Sequence, residues 1–412
     1  MGCLLYIDPG TGSMLFTILI SIVSSLLFFW KKLVLKLKFM ASGGRVTEEK
    51  DYLPYVIFSD SKRYWNVFAP ICEEFEKRGI QLEYMTASED DPCLSRKFEH
   101  VHCQFIGEGN KAFARLNLLN AGIVLSTTPG LEVYQWKRSK NVGWYAHIFH
   151  AVDEGLGYRM FGMDYYDAIL LTGQYQEENV RKLEELRKLP AKEIYVAGCT
   201  YMDALKEKLE KSDFHKDADR LTVLLAPSWG ESSILSRYGA NILRELVNTG
   251  YQIIVRPHPQ SMISEKEIIE PLMKEFPDGD ALQWNFDNDN FEVLQKADLM
   301  ITDFSGIIFD FALVFGKPIL YADTSFDSAP YDAAWVEGPL WRFEVLKELG
   351  EPLTEEALPR LKETIDHLIG SSAKTEARDR VRGEAWQYIG ESAARTVDYM
   401  VAKYQQLQGE GA

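Results

Sequence analysis

The sequence predicts an α/β protein of two doubly wound parallel-sheet domains facing each other, preceded by one N-terminal transmembrane helix. Three observations lead there. The 412 residues exceed what one ordinary core accommodates. After residue 51, short apolar runs ending in polar or Gly/Pro-rich turns alternate with helix-periodic stretches, in two successive series. Ahead of them, Pro9 to Trp30 contains no charged residue. The corresponding divisions are 1–45 for the anchor and linker, 46–205 and 206–372 for the two domains, and 373–412 for a C-terminal helical segment.

The apolar run "MLFTILISIVSSLLFFW" has about the length needed to span a bilayer. Lys31, Lys32, Lys36 and Lys38 follow it, so the domains are expected on the cytoplasmic side of a single-pass anchor in the cell membrane. In a cleaved secretory signal the basic residues would come first, and no small-residue cleavage site is evident. Net charge is −16, which argues against a general nucleic-acid surface. The five cysteines, Cys3, Cys72, Cys93, Cys103 and Cys199, form no CxxC pair, so neither a zinc knuckle nor a disulfide framework is expected. No metal-ligand spacing such as HExxH occurs, and oligomeric state is not legible.

After the polar linker "ASGGRVTEEKD", the first series reads "YVIFSD", "QLEYMTA", "HCQFIG", "AGIVLSTTP", "NVGWYAHIFH", "DAILLTG" and "EIYVAG" as strands. "YWNVFAPICEEFEKRG" and "VRKLEELRKL" read as helices between them. "ALKEKLEKSDFHKDADR" is expected as a linker or an exposed helix. The second series has the strands "LTVLLAPSW", "YQIIVRPHP", "ALQWNF", "DLMITDFSG" and "KPILYAD", with helical stretches between them, among them "NILRELVNTG" and "KEIIEPLMKEF". Near-continuous apolar strands are those of sheets covered on both faces. The end of the chain, "ARDRVRGEAWQYIGESAARTVDYMVAKYQQL", reads as one long helical pattern.

Ligands of such sheets sit beyond the carboxyl ends of the strands, where this sequence is polar. Thr302 and Asp303 end one strand; Ser305 is expected to cap the helix that follows, leaving backbone N–H groups near Gly306 for an anion. The bland reading makes Asp303 only a cap. Asp310 lies in an otherwise apolar helix, where an unpaired carboxylate is costly. Arg256 and His258 stand between and beside prolines that hold the chain extended, and a guanidinium suits phosphate. Ser228 and Trp229 end a third strand.

These strand ends together resemble the CDP-glycerol glycerophosphotransferases, enzymes that prime and extend teichoic acid chains. "APSWG", "RPHP", "ADLMITDFSGIIFDFALVFGKPILY" and "GCTYMD" carry the resemblance. It implies two facing Rossmann-like domains of the GT-B arrangement and a CDP-activated donor, CDP-glycerol or a related CDP-alditol, with no bound cofactor. The donor's diphosphate would lie on His258, Ser305 and Gly306, within a donor-binding set of Ser228, Trp229, Arg256, His258, Thr302, Asp303, Ser305, Gly306 and Asp310. The family's catalytic base is the histidine of a His-Gly-Thr-Pro motif. Here Ala151, Val152 and Asp153 follow His150 in its place.

His147 and His150 would point to opposite faces of one continuous strand, so a joint metal site is not expected. His150, at the ligand edge, is expected to be the base, and His147 a packed core residue. Asp153 is expected to orient His150 or touch the acceptor, and His258 to meet charge developing on phosphoryl oxygens. The expected activity transfers an alditol phosphate to a lipid-linked or glycan hydroxyl at the membrane, releasing CMP. The alternatives are a GT-B glycosyltransferase using a sugar nucleotide and a catalytically silent membrane-anchored scaffold.

Overall fold

The computed structural model describes residues 52–215, 220–287, 289–322 and 326–410. The expected anchor lies outside the described residues. Among the described residues no helix is long and apolar enough to cross a membrane.

The first series folds as a seven-stranded sheet: β1 (Leu53–Ser59), β2 (Leu82–Thr86), β3 (Val101–Phe105), β4 (Asn120–Ser126), β5 (Asn141–Ile148), β6 (Ala168–Leu171) and β7 (Glu193–Val196). Its order is β3-β2-β1-β4-β5-β6-β7, and every pairing is parallel. The second comprises β8 (Thr222–Leu225), β9 (Gln252–Val255), β10 (Leu282–Trp284), β11 (Leu299–Thr302), β12 (Ile319–Ala322) and β13 (Gly350–Leu353). It is parallel throughout in the order β10-β9-β8-β11-β12-β13. Both orders reverse direction between a first and a fourth strand, at β1/β4 and β8/β11, which opens a crevice at each carboxyl edge.

Alternation along the strands feeds a core on each face of each sheet. Ile57 packs with Phe68 and Phe75, while Val56 and Phe58 pack with Leu116 and Trp136 on the opposite face. Val223 and Leu225 meet Ile242 and Leu246, whereas Leu224 meets Phe311 and Trp386. Burial on both faces explains why these strands read as apolar runs.

Two elements differ from the sequence reading. The strand β13, "GEPL", was not anticipated; it is a short edge strand, a place where Pro352 is tolerated. The C-terminal helical pattern is broken into helices Thr375–Ala385 and Ser392–Glu410. Between them, Asp203 gathers the chain: it accepts from Trp386 Nε1 and Gly390 N, each at 2.8 Å, and from Ser392 N at 3.1 Å. The last helix then returns to the first sheet, where Trp144 Nε1 donates to Tyr399 Oη at 3.1 Å. A side chain at Gly122 would sit 2.6 Å from the Tyr404 ring, so this docking needs a glycine.

A second crossing closes the halves from the other side. Segment 326–343 of the second half lies on the first: Asp332 N donates to Tyr158 O at 2.8 Å and Ala333 N to Leu156 O at 3.0 Å. Arg187 joins Asp332 and Asp164 at 2.6 Å each, and Arg342 joins Glu154 at 2.8 Å. Removing one partner of such a buried pair costs about 3–5 kcal/mol, because the other charge stays buried.

Candidate active site

The carboxyl edges of the two sheets face one cleft of about 660 Å³. From the first half it takes the turn after β1 (Ser61 to Tyr64), Ser88 after β2, His150 and Ala151 after β5, and Tyr201. From the second it takes Ala226 and Pro227 after β8, Arg256 to Gln260 after β9, Phe286 and Asp287 after β10, and Ser305, Gly306 and Asp310 after β11.

Strand β5 ends at Ile148, so His150 lies in the bend beyond it and His147 within the strand. His150 Nδ1 is 3.0 Å from Thr127 Oγ1, and its ring lies 4.9 Å from that of Tyr64. Nε2 makes no hydrogen bond among the described residues. Burial pushes the His150 imidazole down to about 4; the nearby Asp60 carboxylate opposes this and the Arg63 guanidinium adds to it. His147 is fully buried and reaches the Tyr158 hydroxyl through Nε2 at 3.0 Å.

Across the cleft, the backbone N–H of Gln260 donates to His258 Nδ1 at 3.1 Å. A neutral His258 whose Nδ1 accepts must carry its proton on Nε2. Burial lowers its imidazole to about 4, with Arg63 contributing, which favours that neutral form. His258 is therefore built as a hydrogen-bond donor.

Six of the residues singled out in the sequence line this cleft together: His150, Arg256, His258, Ser305, Gly306 and Asp310. Arg256 is largely committed to the β10 turn, bonding Asn285 Oδ1 and, at 2.6 Å, the Asp287 carbonyl. Asp310 is buried, which raises its carboxyl to about 7, with the nearby Tyr201 hydroxyl opposing the rise. It opens a π-helical segment, Asp310–Val314, an irregularity frequent at functional sites. Ser305 is not the helix cap expected of it: Gly306 takes that position and no side chain caps the turn. Its hydroxyl makes no hydrogen bond among the described residues.

The remaining candidates do not line the cleft. Asp303 is almost fully buried and holds two turns together, accepting from Ser228 N at 2.9 Å, Ile234 N at 3.0 Å and Phe304 N at 2.7 Å. Thr302 Oγ1 donates to the Ala226 carbonyl at 2.7 Å. Ser228 is buried beside them, and Trp229 stands half-exposed with its ring 6.4 Å from that of His258. Asp153 accepts from Gly155 N in its own turn at 2.6 Å and faces the charge of Arg342; no hydrogen bond joins it to His150.

Sequence reasoning passed over the turn after β1. Arg63 lines the cleft, is solvent-exposed, enters none of the described ion pairs, and acts electrostatically on both His150 and His258. Its signal was available: "SDSKRY" is a polar, basic turn at the end of β1, the position the strand-end rule points to. Tyr201 and Phe286 were also passed over; Tyr201 lies within "GCTYMD", whereas no local pattern marks Phe286. Among the described residues, no group of three or more His, Cys, Asp or Glu is placed to hold a metal ion, and the four described cysteines are free.

Two parallel sheets of Rossmann-like order, meeting at a polar cleft between their carboxyl edges, define a protein of the GT-B class. Within that class the chain belongs to the CDP-glycerol:poly(glycerophosphate) glycerophosphotransferase family, whose model matches residues 174–397, more than half of the sequence. It is accordingly a CDP-glycerol glycerophosphotransferase-like enzyme. The matched region holds the whole second sheet, whereas His150 precedes it.

Among solved structures, the wall teichoic acid polymerase TagF soaked with CDPG is 13% identical, with a TM-score of 0.54 over 94% of this chain and 98% of that one. Staphylococcus aureus MnaA with UDP is 14% identical, with a TM-score of 0.55 over 87% and 97%. The Neisseria meningitidis UDP-GlcNAc 2-epimerase bound to UDP-GlcNAc is 13% identical, with a TM-score of 0.53 over 85% and 100%. At such identities the likeness is one of fold. No curated protein matches by sequence.

Proposed function

We propose that the enzyme moves glycerol phosphate from CDP-glycerol to a hydroxyl of a lipid-linked or glycan acceptor in teichoic acid synthesis, releasing CMP. The observation that carries this reading is the pair of histidines from opposite halves on one cleft, His150 free at Nε2 and His258 a donor at Nε2. The acceptor oxygen attacks the phosphorus bearing the glycerol and gives its proton to His150 Nε2. The bond from that phosphorus to the bridging oxygen breaks, and CMP leaves with the electron pair. His258 Nε2–H, the Ser305 hydroxyl and the exposed backbone at Gly306 meet the diphosphate oxygens, and Arg63 adds positive charge from the other side. Such positioned donors act most strongly where water is excluded.

A depressed base is not a contradiction. The donor brings negative charge beside His150, which raises its basicity on binding. No bound cofactor is needed for these steps. An acceptor in the membrane also gives the apolar segment 9–30 its purpose, as a single-pass anchor with the catalytic domains on the cytoplasmic side.

The test is to incubate the full chain with a panel of CDP-alcohols and sugar nucleotides plus membrane lipid acceptors, and to identify the nucleotide released. CMP from CDP-glycerol is expected. A nucleoside diphosphate would mean glycosyl transfer, and no turnover with any donor would leave the silent scaffold.

A further inference from the structure

His147 is the histidine that the transfer chemistry leaves without a task. Its Nε2 meets the Tyr158 hydroxyl at 3.0 Å, and its Nδ1 has no hydrogen-bond partner among the described residues. The same hydroxyl lies 3.5 Å from His150 Nδ1, and Thr127 Oγ1 lies 3.0 Å from that nitrogen. The arrangement follows from topology: β4 and β5 pair with Ser126 opposite His147, so the residues just beyond both strand ends converge. Four side chains thus form one row from the core to the cleft.

We propose that Thr127 and Tyr158 are positioning residues for His150, and that His147 at the buried end sets the direction in which the row's protons point. The proposal rests on the reading of His150 as the base. A base at Nε2 requires the proton on Nδ1, and that N–H needs an acceptor. The two hydroxyls can accept or donate. When His147 Nε2 accepts from Tyr158, the Tyr158 proton points away from His150 and its oxygen presents a lone pair to Nδ1–H. The opposite direction would turn the hydroxyl proton toward Nδ1 and abolish the base form.

In the first direction the His147 proton sits on Nδ1, which is buried among aromatic rings and has no hydrogen-bond partner among the described residues. The His147 ring stands at 90° to Phe149 and at 60° to Tyr166, with centroids 5.5 and 5.0 Å away. An N–H there tolerates aromatic neighbours, whose faces carry negative charge, better than a lone pair does. Burial also pushes His147 down to about 3, so it takes up no net proton; the row orients His150 without carrying its proton away. The other polar groups around the row are Asp60 and Arg63 beside His150, Asp153 acting on Tyr158, the nearby Tyr64, and Tyr166, whose hydroxyl is committed to the Thr128 carbonyl at 2.5 Å.

The experiment is steady-state kinetics of the full chain with CDP-glycerol across pH. Thr127→Val and Tyr158→Phe should each lower kcat about tenfold, the effect of losing one net hydrogen bond, with donor KM within about twofold. Both should move the acid limb of kcat to lower pH, because the imidazolium loses an acceptor. Thr127→Ser should restore both values. Tyr158→Phe keeps the ring that stacks on Phe149 at 6.0 Å; should it nevertheless fail to fold, the Thr127 pair decides. Unchanged kcat and pH limb in Thr127→Val overturn the proposal. His150→Ala, run alongside, separates the two ideas: full turnover there removes the base reading itself.

Discussion

The loop after β5 and the loop after β9 each hold a histidine at the cleft, and they treat it in opposite ways. In the β9 loop a backbone N–H, which can only donate, faces His258 Nδ1. In the β5 loop a hydroxyl, which can do either, faces His150 Nδ1. Burial lowers both imidazoles to about 4, so both are neutral in the unliganded enzyme. The difference teaches that the role of a neutral histidine is set by the partner of its inner nitrogen.

The largest effect that would break the contrast is at His150. His150→Ala should cut kcat by about 10²–10⁴, the usual contribution of a positioned base, while donor affinity measured by calorimetry stays within a few-fold. His258→Ala should weaken the donor instead, by about tenfold or more, as for a hydrogen bond to a charged group. Glutamine sharpens the comparison, since it can donate an N–H but cannot act as a base. His258→Gln should recover part of the affinity, and His150→Gln should remain as slow as His150→Ala.

The pH profile comes next. A base depressed to about 4 is unprotonated above roughly pH 5, so kcat/KM should show no acid limb near the ordinary histidine value of about 6.5. The limb of kcat should lie higher than that of kcat/KM, because the bound diphosphate raises His150. Coincident limbs would place the titrating group elsewhere.

Smaller effects are expected at two positions in the second half. Gly306 has an ordinary φ of −60° and open space where a side chain would sit. Gly306→Ala should therefore leave the melting temperature unchanged yet weaken CDP-glycerol a few-fold. Asp310 should be seen in stability. Its folded value of about 7 lies above the ordinary 3.8, so the folded state holds the proton more tightly. The stability this contributes is complete below pH 4 and is lost as pH rises through 7. Asp310→Asn should narrow the gap in melting temperature between pH 5 and pH 8.

Strand positions were legible because double-sided burial writes apolar runs into the sequence, and the strand-end rule then led to His150, His258, Ser305 and Gly306. β13 was not legible, since Gly-Glu-Pro-Leu has neither an apolar run nor β-branched residues. The break at Trp386 to Glu391 escaped because it depends on Asp203, which lies far away in the chain. Asp303 and Thr302 have the right residue types in the right place, yet the structure turns both inward onto backbone partners. Thr127 and Tyr158 were invisible for a different reason: only the register of β4 against β5 brings "STTP" beside His150, and one sequence does not reveal register.

The opposite polarity of the two cleft histidines is best measured directly, by ¹⁵N–¹H correlation of the histidine ring nitrogens in the full chain, assigned with His150→Gln and His258→Gln. Neutral His258 should show its proton on Nε2 and neutral His150 on Nδ1. The same tautomer at both positions, with Nε2–H on His150, would contradict the account.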